Sequence, residues 1–224
     1  MKIRFSLVMA LWFTLVNLSA GFGAEAIKLP APATKGTVSV EEALQNRRST
    51  RSFANRSLDL AQISQLLWAA DGVNNPQGKR TAPAARAAYA VDLYLVVGER
   101  GVTKLAPGIY RYLVADNALE PVAQGELGPA VVKACNSQAW MAEAPVMVVI
   151  TGDYARCAVK NADKAQMYTH MESGFVAENL FLQVGALGLG AGIVGGFNDK
   201  GVTQAVKLPQ NHVPLLVMPV GYKN

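Results

Sequence analysis

The chain has little that would support metal or nucleophile chemistry of its own. Its 224 residues include only two cysteines, Cys135 and Cys157, and two histidines, His170 and His212. Neither histidine has a partner cysteine or carboxylate at metal-ligand spacing, so a zinc or iron site is not indicated. His170, one helical turn before Gly174 and near Glu172, reads as a satisfied helix-surface or core histidine rather than a catalytic acid. No G-x-S-x-G elbow occurs, which removes the common signature of serine hydrolases. The two cysteines could pair in an oxidising compartment, but the plainer reading is two unpaired, partly buried thiols, since sequence alone sets no distance between them.

An excess of one charge sign is also lacking. Lysine and arginine number 21 against 16 acidic residues, a formal charge of +5. Removing residues 1–26 takes away Lys2, Arg4 and Glu25 and leaves +4. The basic residues are scattered, so a nucleic-acid footprint is not supported. One tight cluster, Arg47, Arg48 and Arg51, suits a small anionic ligand better.

The single long apolar run, from Phe5 to Leu18, is shorter than the roughly 20 residues needed to cross a bilayer. Lys2 and Arg4 precede it and small residues follow, the layout of a secretory signal peptide over residues 1–26. Cleavage fits after Gly23 or after Ala26. No Arg-Arg pair leads the run, which favours the general secretion route over the twin-arginine route and places the mature protein in the periplasm or outside the cell. Residues 27–37, rich in alanine and proline, read as a flexible tether without packed structure. Residues 38–224 have the length of one domain with a sizeable core, and no repeat or composition shift divides them.

Within that domain the patterns mix helices and strands without a regular βαβ alternation, which predicts an α+β fold with a central, mostly antiparallel mixed sheet flanked by helices. Ser39 and Glu42 predict a capping box for a short helix with Val40, Ala43 and Leu44 as its apolar stripe. Asp59 and Gln62 cap a second helix that carries Ile63, Leu66, Leu67 and Ala70 on one face and stops at Gly72. Strands are predicted over 92–98, 108–113, 145–152, 191–196 and 213–220, with a hairpin turn at Asp116-Asn117. Helices are predicted over 129–141 and, as the longest element, from about residue 162 to Leu187.

Three runs carry candidate chemistry. Arg47-Arg48-Ser49-Thr50-Arg51-Ser52-Phe53 follows a helix, and three guanidinium forks with a serine hydroxyl can surround one phosphate. A solvated basic face that offsets the helix dipole fits the same residues. Thr81 to Tyr89 is a run of small residues, either a backbone surface for a flat aromatic ligand or a short alanine-rich core helix. Gly188 to Phe197 holds five glycines after a helix instead of before one, which excludes a dinucleotide fingerprint. Gly195 and Gly196 fit the exposure of two backbone amides toward a ligand.

Taken in order, these runs resemble the nitroreductase family, within it the subgroup related to the dehydrogenases that oxidise azoline rings in peptide natural products. The resemblance runs from Ser39 onward and rests on R-R-S-x-R-x-F, the helix from Ile63 to Gly72, Arg80-Thr81-Ala82-Pro83 with Tyr89, Glu178-Asn179-Leu180, Leu187 to Gly190, Val194 to Phe197 and Pro219-Val220-Gly221. It implies a homodimer with FMN at the subunit interface and transfer of reducing equivalents from a reduced nicotinamide, NADPH or NADH, to a nitro or quinone compound. Arg47, Arg48, Ser49 and Arg51 would take the phosphate and the flavin's polar edge. Pro83, Ala84, Ala85 and Arg86 would lie along the ring, and Gly195 and Gly196 would set amides near its N5. The family usually has Ser at Ala84, a polar residue at Ala87 and Pro at Ala90, so side-chain contacts to the ring are fewer here. Where many relatives continue into a basic extension, Lys223 would substitute. A protein that keeps the fold as a flavin-binding or cofactor-less module, and an azoline-type dehydrogenase, are the alternatives.

Overall fold

The computed structural model describes residues 25–224, so the signal-peptide expectation lies almost wholly outside them. Seven strands form one sheet: β1 (Ile27–Lys28), β2 (Val91–Val97), β3 (Gly108–Leu113), β4 (Ala118–Gln124), β5 (Val146–Gly152), β6 (Leu189–Ala191) and β7 (Val213–Tyr222). Their spatial order is β1-β4-β3-β2-β5-β7-β6, and every paired neighbour is antiparallel. Among the described residues six helices flank it: α1 (Val40–Asn46), α2 (Leu60–Asp71), α3 (Gly128–Ala134), α4 (Tyr154–Asn161), α5 (Ala165–Ala186) and α6 (Asp199–Val206).

The sheet separates two cores, and the period of two along its central strands shows why. Val91, Leu93, Leu95 and Val97 of β2 join α2 and α5 in one apolar cluster, while Tyr94 and Val96 join α3 and α6 in the other. β2 and β5 are therefore buried along their whole length, as strands covered on both faces must be. Ladder irregularities at Ile109/Tyr110 and Ile150/Thr151 fall opposite Pro121 and Pro214, which have no N–H to offer.

α2 forms as its pattern predicts. Asp59 accepts from Gln62 N, Gln62 returns a bond to the Asp59 backbone, and Gly72 ends the helix. In α1 Ser39 caps through Glu42 N, but only Ala43 is buried; Val40 and Leu44 face solvent instead of forming a core stripe.

The segment expected as an unpacked tether is anchored at its start. Ile27 and Lys28 pair with Leu119 and Ala118 of β4, Leu29 is buried, and Pro30 O accepts from Ser64 Oγ and Asn117 Nδ2. β4 would otherwise be an open edge, and Ile27 and Leu29 have apolar surface to bury against it. The expected helix over 129–141 breaks after Cys135, where Asn136 and Ser137 take φ of 58° and 52°, and resumes as a 3-10 turn at Ala139–Glu143. α4 and α6, capped by Asp153 and Asn198, were not anticipated. The two cysteines are separate buried thiols in different clusters; burial pushes the Cys135 thiol up to about 11.

Candidate active site

The arginine run leaves α1 at Asn46 and continues as an extended strip beside the edge strand β6. Ser49 bridges Ala191, Thr50 N donates to Ala191 O at 2.7 Å, and Phe53 bridges Lys223. Phe53 is buried, and its N–H donates to Glu143 Oε2 at 3.0 Å. The strip thus brings Arg47, Arg48, Ser49, Arg51 and Lys223 to one corner of the sheet. Gly190 lies between Thr50 and Lys223: a Cβ there would stand 2.6 Å from Thr50 Oγ1 and 2.8 Å from Lys223 Cγ.

The guanidiniums do not converge on one point in the single chain. Arg47 stacks over Phe181 of α5 at 5.4 Å, and Arg51 lies 5.9 Å from the Trp140 ring on the side of the other core. Arg48 folds back to donate to Gln45 O at 3.1 Å and Arg47 O at 2.7 Å, capping the end of α1. Among the described residues none of Arg47, Arg48, Arg51 and Lys223 is paired with a carboxylate, so four cations stand available at this corner.

Ala85 to Ala87 sit against α4 rather than against the arginine strip. Pro83 is exposed, and Ala85–Ala87 form a single 3-10 turn. Arg86 Nη1 donates to Lys160 O, Lys160 Nζ to Ala87 O and Asn161 Nδ2 to Ala85 O. Arg86 therefore ties the turn to the carbonyl end of α4. The small-residue run is a shaped surface loop and not a core helix.

Gly195 and Gly196 are exposed just past Val194, which pairs with Val217. A Cβ on Gly196 would meet nothing within 4 Å, and one on Gly195 would meet only Leu216 Cδ2 at 3.7 Å. Neither has positive φ, and neither amide finds an intrachain acceptor among the described residues. Crowding within this chain does not explain these glycines; an open face with two free donors suits a ligand from outside it.

Two buried charge systems near these segments were not anticipated. Arg80 Nη1 donates to Asp71 Oδ2 at 2.5 Å. Asp92 accepts from Arg111 Nη2 at 2.8 Å and from Arg156, with His212 Nε2 3.5 Å away. Burial raises the Asp92 carboxyl, but the two guanidiniums outweigh that and hold it below the ordinary range. Burial depresses the His212 imidazole, which meets Tyr94 Oη at 3.0 Å. A lone acid closing an apolar helix, and another opening an apolar strand, were the available signals. His170 is exposed and bonded to Tyr154 Oη at 2.7 Å, as a satisfied surface histidine.

The family model for the nitroreductase family matches residues 44–222. The chain belongs to that family. It is accordingly an oxidoreductase, with a nitroreductase-like α+β fold. A Methanocaldococcus jannaschii protein provisionally named a nitroreductase is 34% identical over 186 residues, covering 83% of this chain and 92% of the relative. A crystal structure from Ralstonia eutropha, with the same provisional name, is 28% identical with a TM-score of 0.75, over 91% of this chain and 92% of that one. The NADPH:FMN oxidoreductase of Vibrio harveyi, solved with NAD+, shares the fold at 19% identity and a TM-score of 0.60, over 83% of this chain and 69% of that one.

Proposed function

We propose that this nitroreductase-family chain is an exported, FMN-dependent enzyme that moves reducing equivalents from a reduced donor to a small electrophilic acceptor of the nitro or quinone type. The observation that carries the reading is the corner where the arginine strip crosses β6 at Gly190 beside Lys223: Arg47, Arg48, Arg51 and Lys223 lie along one edge of the sheet, and among the described residues none of them is paired with a carboxylate. A phosphate fits that chemistry. FMN, when bound, would supply acceptance and donation of hydride at its ring.

The chain's own residues would then do the following. Arg47, Arg51 and Lys223 would bind the phosphate, with Ser49 donating a hydroxyl. Arg48 would trade its bonds to Gln45 O and Arg47 O for phosphate oxygens. Pro83, Ala84 and Ala85 would exclude water from one side of the ring, and the Gly195 and Gly196 amides would lie near its N5. Arg86 would act indirectly, by holding the loop on α4.

Met167, Met171 and Phe175 form an exposed apolar stripe on α5, with Leu44 exposed on the adjacent α1. A second copy of the chain would cover it and complete the ring site. No helix among the described residues is long and apolar enough to cross a membrane. Reduced nicotinamides are scarce beyond the cytoplasm, so the donor after export would be another small reductant.

The test is the absorbance spectrum of the purified protein after removal of residues 1–26. Flavin bands that bleach with dithionite and vanish in an Arg48→Ala, Arg51→Ala double variant support the reading. A colourless protein that takes up no added FMN sinks it.

A further inference from the structure

The segment from Arg80 to Tyr89 is held in a conformation that its residues do not favour. Arg86, Ala87 and Tyr89 take φ of 51°, 51° and 47°, three of nine such non-glycine residues among those described. Left-handed residues in this density persist only where the surroundings over-determine them.

Charged anchors provide that constraint from both ends. Arg80 bonds Asp71, the last residue of α2, and its guanidinium lies 4.5 Å from the centre of the Tyr89 ring. One side chain thus ties the start of the segment to its end. Arg156 of α4 donates to Tyr89 O at 2.9 Å and is itself held by Asp92. Between them Lys160, Asn161 and Arg86 fasten the middle to the end of α4.

Asp71 is the sensitive member of this set. Its side chain is 1% exposed, and its Oδ1 has no hydrogen-bond partner among the described residues. It faces Arg80, Glu172 of α5, Asp92 of β2 and Tyr112 of β3. Burial lifts its pKa to about 7 against the pull of Arg80, with Glu172 and Asp92 adding to the rise. Its charge is therefore only partly present at neutral pH.

We propose that Asp71 and Arg80 form a proton-responsive clamp on residues 80–89. With Asp71 ionised, Arg80 is fixed across Tyr89 and the small-residue turn is set in shape. With Asp71 neutral, the clamp slackens and the segment loosens. Arg80 is a positioning residue. What the segment receives rests on the FMN reading above, whereas the clamp rests on this chain alone.

Two readouts separate these claims. In the cofactor-free protein, hydrogen-exchange protection of residues 81–89 is expected to fall about tenfold from pH 8 to pH 6 while β5 stays protected. Asp71→Asn should give the low value at both pH values. Arg80→Lys, which keeps the charge and loses the planar stacking, should fall between. With FMN added, the wild-type dissociation constant should rise about tenfold more than that of Asp71→Asn over the same interval, a parallel comparison that removes the phosphate's own titration. Equal protection in wild type and Asp71→Asn at pH 8, or a loss matched in β5, overturns the clamp. An FMN affinity that does not follow the segment's protection overturns its role toward the ring. A pH-responsive segment in a protein that takes up no FMN supports the clamp and rejects the cofactor reading.

Discussion

Ser49 is bridged to Ala191 in the parallel sense, and this one pairing carries the arginine run along the outer edge of the sheet. β6 is the last strand in the order, so its edge groups would otherwise be unpaired. Thr50 takes one of them, and Phe53 pins the far end beside Lys223. Two chain segments cross closely here, and the close approach requires glycine on β6 and just after it.

Gly190→Ala should therefore cost both stability and ligand. The new Cβ would meet Thr50 Oγ1 at 2.6 Å and Lys223 Cγ at 2.8 Å, and overpacking of this kind costs about 1–3 kcal/mol. Adding Thr50→Ala should recover part of the loss, because one of the two obstructing side chains is then shortened. Gly192→Ala should be worse and less rescuable, since its Cβ would meet the Trp140 ring at 2.5 Å and the Thr50 backbone carbonyl at 2.9 Å. Urea denaturation of the four proteins, with FMN titrations in parallel, checks the order. A neutral Gly192→Ala would show that the crossing is not tight.

Arg48 and Arg51 should behave differently although they belong to one motif. Arg51→Ala removes a cation that makes no hydrogen bond among the described residues, so losing a charge-assisted phosphate contact should weaken FMN by about 2 kcal/mol. Arg48 already donates to two carbonyls at the end of α1. A phosphate contact there would be an exchange of bonds, so Arg48→Ala should weaken FMN less and also lower the melting temperature. Lys223→Ala should resemble Arg51→Ala in sign with a smaller effect, as a single point charge replaces a planar fork. Calorimetric titration of each variant gives the ranking, and equal losses at 48 and 51 would contradict it.

The contrast between legible and illegible parts follows from how local their causes are. β3 occupies 108–113 as read, and α2 runs between its predicted caps, because alternation and capping are written in neighbouring residues. The helix expected over 129–141 fails because two successive left-handed residues, Asn136 and Ser137, interrupt an apolar pattern that continues past them. α4 buries only Cys157, so it has almost no apolar stripe to reveal it. The arginines were visible as a motif, but their partners Ala191 and Lys223 lie far along the chain, and only the folded sheet places them side by side. The buried acids Asp71 and Asp92 were equally hidden, since each is paired with an arginine from another segment or element.

Asp71 and His212 should bend the stability profile in opposite directions. The Asp71 carboxyl titrates near 7 when folded and at 3.8 as the ordinary group, so between these values folding takes up a proton. Stability from this group rises as pH falls through that window, on the order of a few kcal/mol in total. His212 is depressed below its ordinary 6.5, so the unfolded chain binds the proton first and stability is lost as pH falls below that value. Melting curves from pH 8 to pH 5 for Asp71→Asn should lose the rising component and fall more steeply toward acid than the wild type. An unchanged slope would mean that Asp71 is not held neutral in the folded protein.

The apolar stripe on α5 sets the last expectation. Met167, Met171 and Phe175 recur every four residues on one helix face and remain 43%, 51% and 47% exposed in the single chain. Large side chains left open in such a row mark a surface that another molecule covers, and a two-fold pairing of like stripes is the simplest closed solution. Phe175→Glu should place two like charges near one axis in such a dimer and dissociate it, while the buried neighbours Val176 and Leu180 keep α5 folded on the sheet. Sedimentation should then give a monomer with unchanged far-UV circular dichroism. On the proposed FMN reading, affinity should fall with the dimer, because Pro83, Gly195 and Gly196 are exposed in the single chain and would need a second chain to enclose the ring. A Phe175→Glu protein that stays dimeric would move the interface to another face, and one that turns monomeric yet keeps full affinity would show that a single chain completes the site.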